Sequence, residues 1–220
     1  AQSMVSMKED MAGAATVVQA LLLIAKLGLP VKVTAWAPMA ENMISGSAMR
    51  PGDVLTIRGG TTVEVTNTDA EGRLILADAL VLAAEEKPDS IVDIATLTGA
   101  MVVALGEKVA GVLGTENVVA GLESAAESAG EAVWHMPIPE EMSGRVTSSK
   151  VADIAQHDWV RWGGGLFAAA FLREFTDGVP WGHLDIAGPG YNTGGVSGFT
   201  TPGGTGFGLG TLVEYVGSQA

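Results

Sequence analysis

The chain of 220 residues contains no cysteine and has few aromatic or basic side chains. The absence of cysteine excludes a disulfide framework, a cysteine-based zinc finger and a thiol nucleophile. The 25 acidic residues outnumber the 12 basic ones, and the net charge of -13 argues against general binding of nucleic acid, because like charge repels phosphate. The three histidines, His135, His157 and His183, show no metal-ligand spacing and are expected to be structural, with His183 in a buried strand.

The sequence also shows no targeting or membrane-spanning pattern. Its first residues lack the basic segment, the apolar run and the cleavage site of a signal peptide. The longest apolar stretch, residues 17–29, is interrupted by Gln19 and Lys26 and is followed by Pro30, so it is too short to span a bilayer. These observations predict a cytoplasmic protein that does not bind membranes.

What the chain does contain is a dense supply of core-forming residues, at 47% hydrophobic, in segments that alternate between two periodicities. Helical patterns cover residues 11–27, 74–86, 120–130, 165–175 and 211–216. Patterns typical of strands cover residues 31–37, 54–57, 62–65, 90–95 and 181–187. The alternation predicts one domain of the α/β class with a mostly parallel sheet.

A loop between a predicted strand and a predicted helix reads Asn-Thr-Asp-Ala-Glu-Gly-Arg, residues 67–73. In a half-extended loop Asp69, Glu71 and Arg73 point to one side, where the two carboxylates repel each other unless a cation lies between them or one of them is protonated. A cation there gives a divalent-metal site with Arg73 beside it to hold an anion or a developing oxyanion. The alternative is a helix start, with Asp69 as the cap, Glu71 stabilised by the helix dipole and Arg73 in a surface ion pair.

Two further segments have the same ambiguity. Asp10 is an acid at a helix start, and it is either a third ligand or an N-cap, with Met7 and Met11 filling the core. The Thr-Leu-Thr-Gly-Ala run at residues 96–100 follows a buried strand, where ligands gather in α/β sheets. Its backbone groups either bind a peptide-like ligand or form an ordinary turn.

Taken together, these segments resemble the leucyl aminopeptidase family, the two-metal cytosol aminopeptidases. Residues 67–74 match the family's signature octapeptide without a change. Further motifs match in order along nearly the whole chain, at residues 7–11, 41–43, 50–54, 96–100 and 184–188. The resemblance implies a three-layer α/β/α fold with a mixed, mostly parallel sheet.

The resemblance also implies roles for individual residues. The position of Asp69 ligates one divalent metal, that of Glu71 bridges two, and that of Asp10 ligates the second, with manganese or zinc as the metals. Arg73 matches an arginine that holds a bicarbonate ion and so has a catalytic role. The implied substrate-binding residues are Met7, Thr96, Leu97, Gly99 and Ala187, with Leu97 acting through its backbone.

The function implied is hydrolysis of the N-terminal peptide bond, with release of leucine or other apolar residues from peptides, by a hexameric enzyme. The family takes a metal-ligating lysine, another aspartate ligand and a catalytic lysine from a segment before Met7. Residues 1–220 are therefore expected to be a partial catalytic domain, without the N-terminal domain or the start of the catalytic domain. The alternative function is an inactive, catalytically incomplete fragment. A DNA-binding role, known for some members, is disfavoured by the net charge of -13.

One departure from the family pattern bears on the pocket. Gly190 stands where some relatives place a pocket-lining methionine, so this position is expected to widen the pocket.

Overall fold

The computed structural model describes residues 3–220. The α-helices are α1 (Ala12–Leu27), α2 (Gly72–Glu85), α3 (Gly99–Leu105), α4 (Glu116–Ala129), α5 (Glu140–Val146), α6 (Gly164–Arg173) and α7 (Leu209–Gly217). The strands are β1 (Val54–Thr56), β2 (Thr62–Glu64), β3 (Ile91–Ala95), β4 (Ala110–Gly114), β5 (Val133–His135), β6 (Ile154–Ala155), β7 (Trp181–Asp185), β8 (Tyr191–Asn192) and β9 (Gly203–Gly204). Two short 3-10 helices span Ser3–Glu9 and Thr68–Ala70.

The main sheet has the strand order β3-β7-β4-β5. The pairings β3–β7 and β4–β5 are parallel, and β4–β7 is antiparallel. A second sheet has the order β1-β2-β6, and β8 and β9 form a small hairpin-like pair. The main sheet is therefore mixed but mostly parallel, as the sequence predicts.

Helices cover both faces of the main sheet. Helices α1, α4 and α7 form one hydrophobic core with it, centred on residues such as Ile94, Val112 and Leu184. Helices α2, α3, α5 and α6 form the other, which contains Leu113 and Trp181. All five residues of β7 are buried, as expected of a strand covered on both faces. The predicted α/β class with three layers is confirmed.

The strand predicted at residues 31–37 does not form. Residues 32–44 run without a helix or strand, and among the described residues no backbone–backbone hydrogen bond involves them. Alternation of apolar side chains favours an extended chain, but a strand also needs a partner whose N–H and C=O groups face it. This segment instead follows the wall of a large cavity.

Helix α1 lies unusually close to the sheet. A Cβ on Gly13 would collide with the carbonyl oxygen of Ile94 in β3, so only glycine permits this approach. The helical stretch Met4–Leu27 is long and apolar enough to cross a membrane by length and composition alone, because the 3-10 helix extends α1. Its buried residues Thr16, Ala20 and Ile24 pack inside the domain, so core packing accounts for part of this apolar character.

Candidate active site

A cavity of about 1430 Å³ lies between α1, α2, β3 and residues 31–43. Every site residue expected from the sequence lines it: Met7, Asp10, Asp69, Glu71, Arg73, Thr96, Leu97, Gly99 and Ala187. The residues come from four separate segments, so the fold brings together what the sequence keeps apart. The cavity lies where the carboxyl end of β3 runs into Thr96, the usual place for ligands in α/β sheets.

The acid loop, residues 67–73, is helical rather than half-extended. Thr68–Ala70 forms one 3-10 turn, and the side chain of Asn67, not that of Asp69, caps it by accepting from the Asp69 N–H at 3.0 Å. Glu71 occupies the N-cap position of α2 but makes no side-chain capping bond. The helix-start alternative is therefore wrong in making Asp69 the cap.

Glu71 is half-buried, and its surroundings favour the protonated form. Burial raises the pKa of its carboxyl, and repulsion from Asp10 and Asp69 raises it further, whereas local hydrogen bonds, including one with Asn42, lower it. Its Oε2 atom is buried without a hydrogen-bond partner among the described residues. A carboxylate in this situation is stabilised by a cation.

Asp10 joins the start of α1 to the end of β3. The N-cap position of α1 belongs to Met11, which makes no side-chain capping bond, so Asp10 is not the cap. Its Oδ1 accepts a hydrogen bond of 2.8 Å from the hydroxyl of Thr96. The neighbouring Glu9, which sequence reasoning missed, also lines the cavity, and burial followed by repulsion from Asp10 raises the pKa of its carboxyl.

These carboxylates suit a hard or borderline divalent ion, because oxygen ligands are what such ions prefer. Glu71 supplies a buried oxygen without a partner, and Asp10 and Asp69 supply charges close enough to shift its pKa. Across residues 3–220, however, no three His, Cys, Asp or Glu side chains lie close enough together to hold a metal ion. The residues therefore fit part of a coordination set.

Arg73 is buried beside the acids rather than paired at the surface. One guanidinium nitrogen donates to the backbone oxygen of Gln156 at 2.8 Å, and the group lies over the ring of Phe167. Burial lowers the pKa of Arg73 to about 10, while Asp185, Asp158 and Glu71 act against this. The side chain thus stays charged at neutral pH, and its Nε is buried without a partner among the described residues. It can hold an anion.

The Thr96–Ala100 run is held by the buried carboxylate of Asp185. Oδ1 of Asp185 accepts from the N–H groups of Leu97 (3.2 Å) and Ala187 (3.1 Å), and Oδ2 accepts from the Thr98 hydroxyl (2.7 Å). The Thr98 side chain in turn caps α3 by accepting from Met101 N–H. Because the Leu97 N–H is already engaged, its backbone has the carbonyl oxygen to offer a ligand.

Two residues that organise the cavity escaped sequence reasoning, namely Asp185 and Gln156. Asp185 lies in a matched motif without a role assigned to it, whereas no motif marks Gln156. Gly190 also differs from expectation, because its surroundings are tight. A Cβ there would lie 2.7 Å from the Ile186 carbonyl oxygen and 3.2 Å from the Thr96 methyl group, so this position does not open extra space.

The fold and the cavity define an α/β domain with a cleft lined by carboxylates and a buried arginine. Residues 1–213 match the catalytic domain of the cytosol aminopeptidase family. The chain belongs to this family.

The relatives extend well beyond the matched region. The chain is 55% identical over 217 residues to a probable cytosol aminopeptidase of Rhodococcus erythropolis, a match that covers 98% of this chain and 43% of that protein. Identity and coverage are the same for a probable cytosol aminopeptidase of Nocardia farcinica. The chain therefore spans less than half the length of these curated relatives.

Solved structures show the same fold. The bottromycin maturation enzyme BotP superposes with a TM-score of 0.92 at 43% identity, over 96% of this chain and 47% of that one. The same enzyme solved in complex with Mn superposes with a TM-score of 0.91, at the same identity and coverage.

Proposed function

We propose that this chain forms part of the catalytic domain of a metal-dependent aminopeptidase, which removes leucine and other apolar residues from the N-termini of peptides. The observation that carries the proposal is the shared cavity, where Asp10, Asp69 and half-buried Glu71 face one space beside buried Arg73. Family membership supports the hydrolase class, and the Mn complex of BotP supports a divalent ion.

In this proposal Asp10, Asp69 and Glu71 are the side chains that would hold divalent ions, manganese or zinc. Bound divalent ions supply Lewis-acid polarisation of the scissile carbonyl and offset the repulsion between these carboxylates. Arg73 holds an anion, bicarbonate in the proposal, next to the reacting groups. Its charge is fixed at neutral pH and surrounded by little water, so it acts strongly on nearby negative charge.

The other cavity residues position the peptide. Met7, Thr96, Gly99 and Ala187 surround the first side chain of the substrate with mostly apolar or small groups, which favours leucine over a charged residue. The free carbonyl oxygen of Leu97 accepts from a substrate N–H. The proposal thus assigns Leu97 an acceptor role only, because Asp185 already occupies its donor.

The test uses a hybrid enzyme, in which this chain replaces the matching 43% of the Rhodococcus erythropolis relative. The hybrid enzyme is expected to hydrolyse a leucyl anilide with added Mn²⁺. Asp69→Asn and Glu71→Gln are each expected to reduce kcat by at least about 10³-fold, because each removes a charged metal ligand. Glu127→Gln, an exposed acid on α4, is the matched control and should leave kcat unchanged.

A rate within about tenfold of the unaltered hybrid enzyme in either acid variant contradicts the assignment, since a bound metal ion supplies several kcal/mol of charge stabilisation and each variant weakens its binding. An unaltered hybrid enzyme that lacks leucyl anilidase activity contradicts it as well.

A second candidate is that residues 1–220 on their own are catalytically incomplete. The observation that favours it is the lack, across residues 3–220, of three ligand side chains close enough to hold a metal. Calorimetry of the isolated chain with Mn²⁺ or Zn²⁺ should then show weak binding or none. Two tight sites would contradict this candidate.

We further propose that the whole enzyme is cytoplasmic and assembles as a hexamer. The names of the relatives support the location, and the net charge of -13 supports a protein that does not bind nucleic acid. Light scattering of the hybrid enzyme would test the hexamer.

A further inference from the structure

The acid loop is held by a residue that no motif singles out. Gln156 follows β6 and is completely buried. Its side-chain oxygen accepts from the N–H groups of Thr66 and Asn67, each at 3.1 Å, and its side-chain nitrogen donates to the carbonyl of Ala70 at 2.9 Å. One amide group therefore fixes both ends of the segment that carries Asp69.

The backbone of Gln156 fixes a second part of the site. Its carbonyl oxygen accepts from Arg73 at 2.8 Å, and its N–H donates to the carbonyl of Glu64 in β2 at 3.0 Å. Gln156 is thus hydrogen-bonded to the β1-β2-β6 sheet through its N–H, and to the acid loop and the Arg73 guanidinium through its side chain and its carbonyl oxygen.

We propose that Gln156 is a positioning residue, which sets the metal affinity of the cavity by fixing the acid loop relative to Arg73. The proposal rests on the proposed metal-dependent function. The loop itself is a single 3-10 turn with one local capping bond from Asn67, a structure with little rigidity of its own. Mutation of residues that orient metal ligands without binding the metal themselves typically lowers metal affinity about 10- to 100-fold.

The chemistry of the three bonds calls for an amide. The side-chain oxygen accepts two hydrogen bonds and the side-chain nitrogen donates one, and a neutral amide can do both without bringing a charge into the core. A carboxylate of the same shape would place an oxygen against the Ala70 carbonyl and bury a charge. An aliphatic side chain would leave two N–H groups and one C=O without partners.

The experiment compares Gln156→Glu and Gln156→Leu in the hybrid enzyme, with Mn²⁺ as the probe in calorimetry and a leucyl anilide as the substrate. Mn²⁺ affinity is expected to fall about 10- to 100-fold in both variants. kcat should fall while KM changes less, because the pocket formed by Thr96, Gly99 and Ala187 is untouched. Amide hydrogen exchange at Thr66 and Asn67 should become faster.

Glu131→Gln is the control for loss of stability alone. Glu131 receives hydrogen bonds from Gly208 and Thr211, and none of these three residues lines the cavity, so its variant should lower the melting temperature without changing Mn²⁺ affinity. Gln156 variants that lose stability but keep wild-type Mn²⁺ affinity would overturn the proposal and leave the proposed function standing. An unaltered hybrid enzyme that neither binds Mn²⁺ nor hydrolyses the anilide would overturn both.

Discussion

His183 and Asp93 form a buried pair across the neighbouring strands β7 and β3, with Nδ1 and Oδ1 separated by 2.6 Å. The second carboxylate oxygen of Asp93 accepts from the indole nitrogen of Trp181, also at 2.6 Å. Burial alone lowers the pKa of His183, but attraction to Asp93, the hydrogen bond with it and a smaller effect of Asp185 together raise it. The pair therefore favours a charged imidazole inside the core.

This pair predicts a pH dependence of stability. A base whose pKa is raised by folding stabilises the fold fully below its unfolded pKa, and the stabilisation is lost as the pH rises through its folded pKa. For His183 the loss begins near the ordinary value of 6.5 and continues above it. The free energy of unfolding of the chain, measured with urea between pH 6 and 9, should fall over this window.

Asp93→Asn tests the origin of that slope. The amide can still accept from Trp181 but carries no charge, so burial again dominates and lowers the pKa of His183. We expect a loss of about 3 kcal/mol at pH 6, the order found when one partner of a buried ion pair is removed. The slope with pH should vanish or reverse. A variant with the wild-type slope would show that another group causes it.

Replacement of the Asp185 carboxylate should weaken substrate binding. In the native protein the N–H groups of Leu97 and Ala187 donate to one carboxylate oxygen of Asp185, and the Thr98 hydroxyl donates to the other. The amide of Asp185→Asn keeps only one acceptor oxygen, so the loop that carries Thr96 and Leu97 loses hydrogen bonds. The hybrid enzyme should lose about 10- to 100-fold in kcat/KM, with a clear rise in KM, because small misplacements in a site have large kinetic effects. Glu127→Gln again serves as the control, and an unchanged KM would contradict the prediction.

Sequence patterns predicted those parts of the fold that depend on local chemistry. The apolar runs of β3 and β7 and the helical spacing of α2 and α4 predict these elements to within a few residues of their bounds in the structure. The sequence does not predict strand β4, because Ala-Gly-Val-Leu-Gly has weak strand propensity. At Gly111 a Cβ would lie 2.6 Å from the sulfur of Met101 in α3, so the Met101 side chain would have to shift, and local sequence does not reveal this contact.

The candidate site was predictable to a similar extent. The motif residues could be named from the resemblance, and the structure places them around one cavity. The residues that hold them could not, because their contacts join distant segments: Gln156 bonds to Ala70 across 86 positions and Asp185 to Thr98 across 87. A spacing pattern carries no signal for such pairs.

Removal of the Glu131 carboxylate should destabilise the start of the last helix, α7. Its two carboxylate oxygens accept from Gly208 N–H at 2.7 Å, Thr211 N–H at 2.8 Å and the Thr211 hydroxyl at 2.6 Å, so it caps α7 from outside. Glu131→Ala in the isolated chain should lower the free energy of unfolding by about 1–2 kcal/mol, the upper range for loss of a helix cap. Urea unfolding checks this, and a change below about 0.3 kcal/mol would be typical of an ordinary surface site instead.

A larger side chain at position 190 should strain its surroundings instead of simply filling the pocket. In Gly190→Ala the new Cβ meets the Ile186 carbonyl at 2.7 Å and the Thr96 methyl at 3.2 Å, so backbone or Thr96 must move. We expect a stability loss of about 1–3 kcal/mol, as for overpacked cores, together with a higher KM of the hybrid enzyme. Gly204→Ala, where no atom lies within 4 Å of the added Cβ, is the matched control. A stable Gly190→Ala variant with unchanged KM would mean that the site relaxes easily.

Arg73 and Arg145 provide a matched pair for testing the anion role, because both guanidinium groups lie over the ring of Phe167, at 5.7 and 5.5 Å. Arg73 lines the cavity and has a buried nitrogen without a partner among the described residues, whereas Arg145 is paired with Asp158 at 2.6 Å. Arg73→Met in the hybrid enzyme should lower kcat by about 10²- to 10³-fold, the range for loss of one charge-stabilising donor. It should also abolish any acceleration by added bicarbonate.

Arg145→Met removes the same kind of group from the same ring without touching the cavity, so it should retain the bicarbonate response even if it is less stable. Rates of leucyl anilide hydrolysis with and without bicarbonate measure both variants. If the two variants keep the same response, the anion is not held by Arg73. If both lose it, the contact with Phe167, rather than the free guanidinium nitrogen, controls anion binding.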